Sequence, residues 1–124
     1  MSEISKMAGD ASALLISNPS SVFKENVAQL PSSDTIARID FLDAKGTVVS
    51  SLESKPGTQG SVAVYNYVKQ AFGILNTHAA EHALLIYAEH TADARQRPGA
   101  HPNVDRLLQV IASGEPLHIH IVGQ

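Results

Sequence analysis

The sequence predicts a single α+β domain, in which a β-hairpin and a C-terminal strand form a small sheet with three to four helices packed on one face. Three observations predict it. The chain has 124 residues, 44% apolar and 17% charged, which suits one buried core and leaves little room for a second. Apolar residues alternate in TIARIDFLD, recur at helical spacing through the middle of the chain, and alternate again in PLHIHIV. The turn-forming stretches DAKG, SKPG and RPG punctuate those segments.

Each element follows from local chemistry. Residues 1–18 are weakly patterned and are expected to form a flexible arm ahead of a domain spanning 19–124. Ser20 or Ser21 can cap a short helix running through Leu30, with Pro31 at its end. TIARIDFLD is a strand with Ala37, Ile39 and Phe41 on one face, DAKG is the turn, and TVVSSLES returns. After the SKPGTQGS loop, Val64, Tyr65, Val68, Ala71 and Phe72 share one helical face, and Gly73 suits the C′ position. Asn76 or Thr77 caps a longer helix to about Arg95, with Ala79, Ala80, Ala83, Leu84, Ile86, Tyr87 and Ala94 on its apolar side. RPG stops it. Pro102 opens the next helix, Asp105 lies in its first turn, Gly114 follows its end, and Val104, Leu107, Leu108 and Ile111 form its stripe.

Composition excludes several functions. The net charge is -3 and no run of Lys or Arg occurs, so no nucleic acid is expected as a partner. Without cysteine there is no disulfide, thiolate metal site or cysteine nucleophile. The longest apolar run, Ala83 to Ala88, is far too short for a membrane span, and MSEISKMAGD is not a secretory signal. A cytoplasmic location is expected.

Chemistry concentrates at one bend. EHTADARQRPGAHPNVDRLL holds two His, three Arg, two Asp and one Glu. Helix ends account for much of this charge, because Arg95 and Arg97 close one helix and Asp105 opens the next. His90, which falls inside the apolar arc, is not accounted for in that way. It is either a core residue bonded to a carbonyl or the wall of a polar site. His101 precedes a helix N-terminus, as a loop residue or as a neutral donor beside free backbone N–H groups. Asn103 and Asp93 complete this set. KPGTQGS supplies a second wall: Gly57 and Gly60 allow close backbone approach, Ser61 offers a hydroxyl, and Lys55 adds charge for a phosphate or carboxylate. It is not a Walker A loop, and a plain crossover loop whose glycines satisfy turn geometry is the simpler account.

The other histidines carry a metal reading. His118 and His120 share one strand face roughly 6.5 Å apart, a spacing that suits two ligands of a divalent metal, with the third coming from elsewhere. The alternative is a terminal strand with one wet face. His78 and His82 lie at i and i+4, but Glu89 is roughly 10 Å farther along the axis, so a solvated helix face is expected there.

From FKEN at Phe23, through KPGTQGSVAVYN and AEHTADAR, to HPNVDRLL, the sequence resembles a family of small bacterial proteins known as a domain of unknown function. That resemblance implies a bacterial, stand-alone domain and brings no activity, cofactor or catalytic residue with it. The residues themselves favour a small polar or anionic ligand, or a protein partner, held between the 55–61 loop and the 90–106 bend. In a catalytic version His90 or His101 is the acid or base, Arg95 an anion clamp, and Ser61 part of the anion cradle. The alternatives are a metal-dependent enzyme or metal-binding protein using His118 and His120, and a non-catalytic module that forms a homodimer by pairing a sheet edge.

Overall fold

The computed structural model describes residues 19–124, so the expected flexible arm lies outside the described residues. In chain order the elements are α1 (Phe23–Val27), β1 (Ile36–Leu42), β2 (Val48–Glu53), α2 (Gln59–Phe72), α3 (Thr77–Tyr87), α4 (Glu89–Gln96), α5 (Pro102–Ser113) and β3 (His118–Gly123). The expected α+β architecture is present, with five helices among the described residues because one expected helix is two.

The three strands pair antiparallel in the order β2-β1-β3. The hairpin turn is built by Asp43, whose Oδ1 accepts the amides of Lys45 (2.9 Å) and Thr47 (3.0 Å). Gly46 takes the positive φ of 84° that such a turn needs. Ile39 lies opposite Leu52 and Ile121, and Phe41 opposite Ser50 and Ile119, so alternation puts Ile39, Phe41, Leu52 and Ile119 into the core. Ala37 was expected there, but the register shifts between Ile36 and Arg38, and the larger Ile36 is buried instead. On the opposite face Asp40 accepts from Arg38 Nε (2.9 Å) and Ser51 Oγ (2.7 Å).

α2 is the central helix. Val62, Ala63, Val64, Tyr65, Tyr67 and Val68 are all buried, so the helix is wrapped on nearly every side rather than on the single expected face. Burial of this kind outweighs the weak helix propensity of its β-branched residues. The helix starts at Gln59, which moves Gly60 and Ser61 out of the expected loop and into its first turn. Gly73, at φ 79°, ends it as predicted.

α1 is shorter than expected. Neither Ser20 nor Ser21 caps it, and after Val27 it tightens into i→i−3 bonds from Gln29 and Leu30. Its first amide, on Phe23, is instead satisfied by Glu89 Oε1 at 2.7 Å. The buried Asn26 ties the segment down: Oδ1 accepts Ser20 N (2.8 Å), and Nδ2 donates to Ser20 O (3.0 Å) and Ile86 O (2.9 Å).

The single helix expected from Asn76 to Arg95 is broken at Ala88, where φ is 52° and ψ is -115°. Asn76 does cap its start, accepting Ala79 N at 2.9 Å. The break is held by long-range and local partners for the carbonyls it releases. Asn26 takes Ile86 O, and the Thr91 hydroxyl takes Leu84 O at 2.6 Å. Ala88 is the only described non-glycine residue with positive φ. Ala88→Gly is therefore expected to stabilise the fold by about 1 kcal/mol, measured as a higher denaturant midpoint at unchanged slope. A midpoint that falls would mean the unfolded chain's added freedom outweighs the relieved strain.

Candidate functional site

Two helix starts meet at one hollow of about 390 Å³. One wall is Gly57, Thr58, Gly60 and Ser61, the entry and first turn of α2, and the opposite wall is Ala100, His101, Pro102, Asn103 and Val104, the entry and first turn of α5. Phe23, Tyr87 and His90 close the remainder. Residues of the glycine-rich segment and of the bend thus line the same hollow.

Each wall has a local cause. Arg97, Pro98, Gly99 and Ala100 form a turn closed by Ala100 N to Arg97 O at 3.0 Å. Proline second and glycine third, the latter at φ 93°, is the sequence a type II turn requires. The turn delivers His101 to the N-cap of α5 and Pro102 to its first position, where a missing N–H costs nothing. Gly60 is needed for a different reason: a Cβ there would meet the Phe23 ring at 3.0 Å. Phe23 in turn stacks on Tyr87 with centroids 5.0 Å apart and meets His90 edge-on at 4.9 Å.

The polar groups are oriented by partners behind them. His101 Nε2 lies 2.6 Å from Asp93 Oδ2, and Asp93 is also gripped by Arg97 through Nε at 2.9 Å. The Arg97 bond first, and the His101 bond second, hold the Asp93 carboxyl far below the usual carboxylate range. An ionised Asp93 can only accept, so Nε2 donates and Nδ1 is the ring atom left for other partners. The rings of His90 and His101 stand 5.3 Å apart. Tyr87 OH donates to Ser61 Oγ at 2.7 Å. Burial, then the nearby Tyr65, pushes the Tyr87 phenol well up, so it stays a donor at neutral pH. Tyr65 OH donates to Asn103 O at 2.6 Å, and Arg106 donates to Asn103 Oδ1 at 3.0 Å.

Several expected members sit elsewhere. Arg95, expected as the anion clamp, lines a separate depression with Ser20, Leu85 and Glu89. Five residues along a helix turn a side chain by roughly 140°, so Arg95 points away from the face that carries His90. Lys55 lines another depression, with Asp34, Gln59 and Gln124. Asp93 touches His101 without lining the hollow itself. His118 and His120 are exposed on the outer sheet face, with Asp40 opposite His120. Among the described residues no group of three or more His, Asp or Glu side chains comes together to hold a metal ion. The face bearing His78 and His82 is less solvated than expected. His82 is half-buried, 3.0 Å from Tyr67 OH and beside Phe72, and burial lowers its pKa.

Phe23, Tyr87 and Val104 were not foreseen as walls. Tyr87 and Val104 carried only the signal of an apolar stripe, which is the same for a core residue and for a hollow's lining.

These features define an α+β domain with a hollow at the start of its central helix, and among the described residues no helix is long and apolar enough to cross a membrane. The chain belongs to the family DUF2322, described as an uncharacterised protein conserved in bacteria, whose family model matches residues 23–121. That span begins at Phe23 and takes in every described residue that lines the hollow. No curated protein and no solved structure matches the chain.

Proposed function

We propose that this protein binds a small ligand through an anionic group in the hollow between the first turns of α2 and α5, with His101 as the proton-bearing partner. The observation that carries the reading is convergence: two helix starts and the rings of His90 and His101 line one cavity. Helix starts present unpaired N–H groups and a partial positive charge, and together these favour an anion. Asp93 anchors the His101 ring at Nε2, which leaves Nδ1 to accept a ligand proton or, once protonated, to donate to an anion.

The test is an amide NMR titration with small carboxylates and phosphate monoesters. Shifts are expected to cluster at residues 57–61, 87–90 and 100–104. His90→Phe keeps an aromatic edge against Phe23 and removes both ring nitrogens, so it should weaken binding about tenfold with the fold intact. Shifts on another face, or a variant that loses stability and keeps binding, would count against the reading.

A further inference from the structure

The hollow is unusual in what it lacks. Among the described residues, no Lys, Arg, Asp or Glu lines it. Its polar side chains are Thr58, Ser61, His90, His101 and Asn103, and its apolar walls are Phe23, Tyr87, Ala100, Pro102 and Val104.

Which hydrogens those polar groups have to spare can be deduced from their other bonds. Arg106 carries only donors, so the Asn103 atom it meets must be the carbonyl oxygen, whichever way an isolated amide would turn. Nδ2, with two N–H groups, is then directed the other way and finds no acceptor among the described residues. The clamp is rigid. Arg106 is stacked 4.0 Å over the Phe41 ring and donates to Ser50 Oγ at 3.2 Å, while the Asn103 backbone is held by the fully buried Tyr65. Ser61 follows the same logic. Its oxygen accepts the Tyr87 proton, and its own O–H has no acceptor among the described residues. Thr58 is already committed, donating to Glu53 O at 2.6 Å. Asn103 and Ser61 therefore offer surplus uncharged donors, beside the ring N–H of His90, which has no hydrogen-bond partner among the described residues.

Resting on the reading above that the hollow binds an anionic group, we infer that its ligand is a monocarboxylic acid with a small apolar body, and that Asn103, positioned by Arg106, reads the carboxylate. A phosphate dianion is ordinarily met by Arg or Lys, and among the described residues none lines the hollow. A single carboxylate charge needs only neutral donors and one imidazole. The rings of Phe23 and Tyr87 give the ligand's body an apolar surface, and about 390 Å³ is ample when about 150 Å³ accommodates benzene.

Benzoate, phenyl phosphate and benzamide share a ring and differ in its head group, so titrating the full chain with each separates the outcomes. Benzoate is expected to bind at least about tenfold more tightly than either of the others. Phenyl phosphate binding as well as benzoate would overturn this inference and leave the anion-binding reading standing. Shifts in the hollow from none of the three would overturn that reading as well. Asn103→Asp keeps the oxygen that Arg106 requires and replaces the free donor by a second oxygen, so benzoate should weaken more than about tenfold with little change in the unfolding midpoint. Asn103→Ser, which adds no charge, gives the same comparison should the Asp variant fold poorly. In Arg106→Gln the Asn103 side-chain NH₂ signals, expected to move with benzoate in the parent, should no longer respond. Parent-like benzoate binding by the folded Asn103 variants would overturn the assignment of Asn103.

Discussion

Above about pH 10 the protein is expected to lose stability steeply, by about 2 kcal/mol at pH 12 through Tyr65 alone. Burial is the main cause: the Tyr65 phenol is fully enclosed, and its pKa is pushed up to about 12 despite the opposing influence of Arg106. The hydroxyl donates to the Asn103 carbonyl, so ionisation would also set two oxygens against each other at 2.6 Å. The folded state holds this proton where the unfolded chain has already released it. The contribution is fully present below the unfolded pKa near 10 and is lost as pH rises through the folded value. Burial raises Tyr67 and Tyr87 in the same direction. Phenolate absorbance of all three tyrosines should therefore appear together with unfolding rather than before it. Phenolate formation at pH 10 in a chain that is still folded would show that these hydroxyls are not sealed. Tyr65→Phe should flatten the alkaline limb.

Replacing Asn26 by Ala is expected to cost about 3 kcal/mol. The residue is fully buried and makes three hydrogen bonds, two with Ser20 and one with Ile86 O. Truncation removes all three and leaves Ile86 O exposed to no replacement donor at the break between α3 and α4. Gln29, three residues farther along and exposed, makes through its side chain only a bond of 3.4 Å to Glu25 O, so Gln29→Ala should change stability by less than about 0.5 kcal/mol. Denaturant midpoints of the two variants compare them directly. Equal midpoints would mean Asn26 is not an anchor.

How far the fold was legible depended on how local its causes are. The hairpin was readable because Asp43, Gly46 and strand alternation all act within a dozen residues. So were the starts and stops at Asn76, Gly73, Pro102 and Gly114, each satisfied by its own turn. The break at Ala88 was not. LLIYAEHTA contains no glycine or proline, and the groups that stabilise the break are Thr91 and, from 60 residues away in sequence, Asn26. The same distance hid the short α1, whose first amide is satisfied by Glu89 rather than by a neighbouring serine. At the site, the two walls were legible as a glycine-bearing strand-to-helix entry and a proline-stiffened corner. Direction was not. Spacing alone could not show that Arg95 faces away, that Lys55 belongs to another depression, or that Asn103 is clamped by an arginine held over Phe41.

The eight-residue α4 has three attachments: Glu89 to the amide of Phe23, His90 on the hollow, and Asp93 to the ring of His101. It is hinged at one end by a residue in an unfavourable backbone conformation. Its contact with α1 and its contribution to the hollow are thus made by consecutive residues, Glu89 and His90, right beside that hinge. A contact that seats Glu89 against α1 and a ligand that favours the same placement of His90 would, by thermodynamic reciprocity, strengthen each other by the same free energy.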